Sequence, residues 1–151
     1  MSGIQSIPAA HYAGDVTPAE AWRVLSQTPQ AQLIDVRTTA EWQFVGLPDL
    51  SPLSRRPLLA EWQVYPEMAV NTAFAEETDA ALSAAGIAKT TPLFLLCRSG
   101  ARSRSAAAAL AGKGYSAAYN IAHGFEGDPD ELGHRGSLNG WKADNLPWRQ
   151  G

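Results

Sequence analysis

Pro92-Leu93-Phe94-Leu95-Leu96-Cys97-Arg98-Ser99-Gly100-Ala101-Arg102-Ser103 runs from an unbroken apolar stretch through the chain's only cysteine into an arginine-rich turn. A short run that is apolar at every position fits a strand buried on both faces, as in a parallel sheet covered by helices. The residues that follow, 103 to about 112, are alanine-rich and read as a helix closed by Gly112 and Gly114. Strand, turn and helix in that order put Cys97 at the carboxyl end of a strand, where open α/β sheets bind ligands.

Working outward, helix and strand signals alternate, which defines an α/β layer architecture. Thr17-Pro18-Ala19-Glu20 reads as a capping box that opens a helix over about 18–26. Gln32-Leu33-Ile34-Asp35-Val36 reads as a second buried strand, and residues 39–44 as a short helix. Residues 46–57 carry three prolines and read as irregular, with a further strand expected over 58–65. Asn71 is the expected cap of a helix reaching about residue 85, which Gly86 ends. Residues 117–122 read as a last strand. The Gly-, Asp- and Asn-rich tail from 127 carries one short helix signal at 129–134.

Composition narrows the function classes. With 151 residues, one domain is expected. Apolar residues make up 45% and charged ones 18%, a globular rather than disordered balance. A net charge of −3 argues against a nucleic-acid partner, which needs a basic face. No apolar run approaches a membrane span, and residues 1–10 lack the pattern of a signal peptide, so a cytoplasmic protein with no membrane partner is expected. One cysteine excludes an internal disulfide and an all-cysteine metal site, and it leaves no resolving thiol. His11, His123 and His134 are scattered, with His123 in the turn after the last expected strand. Neither a metal nor an organic cofactor is expected, and no Gly-rich phosphate loop is present.

The neighbours of Cys97 decide how it is read. A lone cysteine is most often a small buried hydrophobe. Here, however, the eight residues from Cys97 to Arg104 hold three arginines and no acid in an acidic protein. Cations and helix N-termini favour the thiolate, the reactive form of cysteine. Gly100 lets the backbone curl so that successive amides face an anion. Ser99 and Ser103 add hydroxyls, Ser103 also being the expected helix cap. Arg98 and Arg102 offer forked donors to a sulfur oxyanion, while Arg104 points to solvent. Asp35 and Arg37 at the end of the earlier strand are expected to support the loop as an ion pair, with Asp35 facing a loop arginine.

The heptapeptide Cys97-Arg98-Ser99-Gly100-Ala101-Arg102-Ser103 resembles the active-site loop of single-domain rhodaneses. Ile34-Asp35-Val36-Arg37 with Glu41-Trp42 resembles that family's early strand and short helix. Gly114-Tyr115, Asn120-Ile121 and Gly124-Phe125-Glu126-Gly127 resemble its last strand and following turn. The resemblance covers about residues 15–127, leaving 128–151 as a C-terminal extension. It implies a three-layer fold, a central mostly parallel sheet flanked by helices. It also implies thiosulfate sulfurtransferase activity: Cys97 takes sulfur from a donor such as thiosulfate and holds it as a persulfide. A thiol or cyanide acceptor, small or carried on a protein, then removes it. Arg98, Ser99, Gly100, Ala101, Arg102 and Ser103 are the implied substrate-binding residues. Glu41 and Trp42 read as capping and packing residues. The chain departs from the family where a His-Ile-x-Gly-Ala segment is usual, with Phe44-Val45-Gly46-Leu47-Pro48 instead. Two alternatives remain: a non-catalytic binding module on this fold, and a cysteine phosphatase or arsenate reductase. The phosphatase loop has five residues between Cys and Arg, against four here.

Overall fold

The computed structural model describes residues 3–64 and 67–150. Its first strand, β1 (Gly14–Val16), leads into helix α1 (Pro18–Gln27). Thr17 caps α1 by accepting from the Glu20 N–H at 3.0 Å, with Pro18 at the first turn. Glu20 does not complete the expected box. Its carboxylate accepts instead from the Gln5 N–H and pairs with Arg23 at 2.6 Å. Strand β2 (Gln32–Asp35) and helix α2 (Thr39–Phe44) follow where the sequence placed them. A full capping box holds α2, with Thr38 and Glu41 exchanging side-chain and backbone hydrogen bonds.

The next stretch is the least regular. It contains β3 (Leu47–Pro48), one turn of 3-10 helix (Ser51–Leu53) and β4 (Leu58–Leu59). The single strand expected over 58–65 is replaced by β4 and a separate hairpin of β5 (Gln63–Val64) and β6 (Ala69–Val70). Its expected last residue, Tyr65, lies outside the described residues. Helix α3 (Phe74–Ala84) starts later than Asn71 suggested: Asn71 Oδ1 accepts from the Ala73 N–H, turning the chain just before the helix.

Strand β7 (Leu93–Leu96), helix α4 (Ala101–Gly112) and strand β8 (Ala118–Ile121) complete the core. β9 (Trp148–Arg149) then pairs antiparallel with β3. The short helix expected at 129–134 is a turn, in which Asp130 Oδ1 accepts from the Leu132 and His134 amides.

The five-stranded sheet has the order β1-β8-β7-β2-β4, and all of its pairings are parallel. Strand periodicity divides the core into two layers. Ile34, Leu93, Leu95 and Ala118 face α3 and α4, while Leu33, Phe94, Leu96 and Ile121 face α1. Every residue of β7 is fully buried, as expected of a central parallel strand. The α/β three-layer arrangement expected from the sequence is therefore present, with every strand of the main sheet parallel. The tail is not an appendage to it. Trp141 is 0% exposed within the α1-side layer and edge-on to Trp22. Trp141 thus anchors this part of the tail to the core.

Candidate active site

Parallel strands β2 and β7 are in register, with Asp35 beside Leu96, so residues 36–37 and 97–98 leave the sheet together at its carboxyl edge. The turn after β7 closes quickly because α4 begins at Ala101, two residues earlier than expected. Gly100 is its N-cap with φ 113°, a backbone region that side chains disfavour. This curl brings the Gly100 N–H to 3.0 Å from Cys97 Sγ at the N-terminus of α4. Helix polarity and an amide donor thus converge on the sulfur.

Ser103 is not the cap. It lies in the first turn of α4, fully buried, with Oγ 3.2 Å from Cys97 Sγ and in a short contact with Asn120 Oδ1. Asn120 Nδ2 in turn donates to Asp15 Oδ1 at 2.8 Å, where the Tyr12 hydroxyl also donates. A serine has one proton. Three acceptors stand within its reach: Cys97 Sγ, Asn120 Oδ1 and Gly100 O, the last at 3.2 Å.

The turn after β8 fixes the back of the loop. The Phe125 N–H donates to Cys97 O at 2.8 Å, and the amides of Glu126 and Gly127 donate to Arg98 O at 3.0 and 3.2 Å. Gly124 permits this approach, since a Cβ there would sit 2.4 Å from Cys97 O on a backbone with φ 63°. With both carbonyls held from behind, the Gly100 N–H faces the sulfur.

The supporting ion pair forms between Asp35 and Arg37. Asp35 hydrogen-bonds Arg37 rather than an arginine of the Cys97 loop, although its charge also acts on Arg102. It receives Arg37 Nε at 2.9 Å and Nη2 at 2.7 Å, and both residues are fully buried. Arg37 also donates to Gly46 O and stacks 4.2 Å from the Phe125 ring centre. The pair therefore ties β2 to the 124–127 turn behind the loop.

Arg102 is likewise paired, with two of its five N–H donors engaged. Its Nη1 and Nη2 donate to the two oxygens of Glu41 at 2.7 and 2.9 Å. Burial pushes the Glu41 carboxyl up, but the bonds and charge of Arg102 outweigh this and hold it below its ordinary range. Arg98 is exposed and has no ion-pair partner among the described residues. Arg104 is exposed and donates to Gly100 O at 3.3 Å.

Cys97 lies at 1% exposure on the floor of a cavity of about 290 Å³, walled by Glu41, Gln63, Met68, Arg98, Ser99, Ala101 and Arg102. A cavity of about 400 Å³ between β4 and α3 is larger, but no nucleophilic thiol lines it. Chemistry rather than volume singles out the Cys97 mouth. His123 lines a separate cavity on the far side of Ser99 and Gly100, with Nδ1 3.5 Å from Asp128. The sequence had marked Glu41 only as a capping and packing residue, and it gave no sign of Gln63 or Met68 in this wall. Nothing local in the sequence links residues 41 and 102.

Sheet order and layers define a rhodanese-like α/β fold, with Cys97 in the loop at the carboxyl edge of the sheet. A polysulfide-sulfur transferase homodimer from Wolinella succinogenes shares that fold, with a TM-score of 0.54 and 20% identity over 91% of this chain and 78% of that one. The family model described as STR4 middle domain matches residues 13–151, and the chain belongs to that family. The match includes the tail, in keeping with the buried Trp141. Rv0390 of M. tuberculosis, a crystal structure, is 47% identical with a TM-score of 0.83, over 93% of this chain and 99% of that chain. An uncharacterized protein of Rickettsia rickettsii is 35% identical over 89% of this chain and 96% of its own. No helix among the described residues is long and apolar enough to cross a membrane.

Proposed function

We propose that this chain is a sulfurtransferase that moves sulfane sulfur from a donor such as thiosulfate to a thiophilic acceptor through a persulfide on Cys97. The observation that carries the reading is the placement of Cys97 Sγ on the floor of the mouth, 3.0 Å from the Gly100 N–H at the start of α4. A thiolate formed there has an amide donor and a helix N-terminus to stabilise its charge.

In the first half-reaction the Cys97 thiolate attacks the outer sulfur of thiosulfate. The S–S bond breaks, sulfite leaves with the electron pair, and Cys97 holds a persulfide anion. In the second, cyanide or a thiolate attacks the outer persulfide sulfur and the Cys97 thiolate returns. Splitting the transfer in this way is covalent catalysis. Arg98, Ser99, Gly100, Ala101 and Ser103 surround the transferred sulfur. Arg102 acts within its pair with Glu41, and Asp35 and Arg37 hold the frame behind. No second thiol exists in the chain, so the acceptor comes from outside as a small thiol or a protein thiol. A cytoplasmic setting suits an acidic chain with one free cysteine. The test is whether Cys97 gains a cyanide-removable sulfur from thiosulfate; a folded protein that gains none from any sulfane donor contradicts the proposal.

A further inference from the structure

We infer that the Glu41–Arg102 pair sets donor choice at the Cys97 mouth, favouring sulfane donors that carry one negative charge and an organic group over the thiosulfate dianion. The inference rests on the sulfurtransferase reading and narrows its donor.

The charges in the wall carry the argument. A thiosulfate-type dianion is best held by uncommitted guanidinium forks. The mouth holds two arginines, Arg98 and Arg102. Glu41 accepts one N–H from each terminal nitrogen of Arg102, at 2.7 and 2.9 Å, and its carboxylate stands in the same wall and offsets that cation. Side-chain exposures of 17% and 18% leave this pair little screened by solvent. The wall therefore sums to one net positive charge, that of Arg98. A second negative charge on the donor meets Glu41 rather than a free cation.

The other wall residues suit an organic substituent. Met68, at the turn of the β5–β6 hairpin, contributes an adaptable thioether, Ala101 a methyl group and Gln63 a neutral amide. Donors with the pattern R–SO2–S⁻ or R–S–S⁻ match one cation and one apolar side. For a thiosulfonate the half-reaction balances as before: Cys97 thiolate attacks the outer sulfur, its bond to the sulfonyl sulfur breaks, and a sulfinate leaves with the electron pair.

The test compares two donors that differ by one charge, thiosulfate and methanethiosulfonate, in which methyl replaces an oxyanion. Single-turnover sulfur loading of Cys97 is followed by intact mass for the wild type, Glu41→Gln and Arg102→Gln. Gln at residue 41 still fits the capping box with Thr38, so α2 keeps its N-terminus. Circular dichroism checks that each variant is folded. Intrinsic reactivity differs between the donors, so the readout is the ratio of their loading rates in each variant against the wild type. Glu41→Gln is expected to raise the thiosulfate-to-methanethiosulfonate ratio roughly tenfold, the effect of one unopposed charge contact. Arg102→Gln is expected to lower it. Ratios that stay constant, or move in the same direction in both variants, overturn the inference while leaving the loading reaction standing. No loading of folded wild type from either donor overturns both.

Discussion

At the residue scale, the chemistry gathers around one sulfur and the hydroxyl beside it. Ser103 was expected to cap α4; instead it is buried between Cys97 Sγ and Asn120, because the helix starts at Ala101. Ser103→Ala is expected to slow sulfur loading by about ten- to a hundredfold, the worth of a hydrogen bond to a charged group. It also leaves Asn120 Oδ1 without its donor, at a cost of about 1–3 kcal/mol in urea unfolding. Unchanged loading in a destabilised variant would reduce Ser103 to a packing role. Much of this site was legible, since Cys97, Gly100 and the arginines stand within one heptapeptide. The partner of Arg102 was not, because Glu41 lies 61 positions away and only the fold joins them. The Asp35–Arg37 pair was legible, since an acid at a strand end pairs with the cation the backbone brings nearest, here two residues on.

At the scale of elements, the Glu41–Arg102 pair fastens α2 to the start of α4 across the mouth. The Glu41 carboxyl is held below its ordinary value of 4.5, so the folded chain binds this proton less readily than the unfolded one. The stability it contributes is full above about pH 4.5 and is lost as pH falls through the depressed value. Glu41→Gln is accordingly expected to flatten the acid limb of the stability curve below pH 4.5 relative to wild type, measured by urea titrations across that range. Parallel acid limbs would show that the pair contributes nothing to folding. Long elements announced themselves through caps and periodicity, α1 by Thr17 and Pro18 and β7 by its unbroken apolar run. The pieces of two residues did not: β3, β4, β5, β6 and β9 are too short for any period, and their pairings are set by tertiary contacts.

At the scale of the whole molecule, the tail braces the site from behind. The Trp141 and Lys142 amides donate to the carbonyls of Gly124 and Phe125, and the turn carrying those residues donates to Cys97 O and Arg98 O. Trp141 Nε1 closes the tail by donating to Pro147 O at 2.7 Å, and β9 pairs with β3. A Gly/Asp/Asn-rich composition hid this role, because the packing rests on one tryptophan and on backbone hydrogen bonds. Trp141→Ala is expected to cost about 3–5 kcal/mol in urea unfolding, as for other fully buried aromatics. A loss below about 1 kcal/mol would mean that the tail rests on the surface.

The claim on which the rest depends is that Cys97 carries sulfur. Intact-mass spectrometry of the wild type and Cys97→Ser, each folded and exposed to thiosulfate and to methanethiosulfonate, tests it most directly. One added sulfur atom is expected on the wild type alone, removed by cyanide with formation of thiocyanate. A folded wild type that gains no sulfur from either donor, or a Cys97→Ser variant that gains as much, would contradict it.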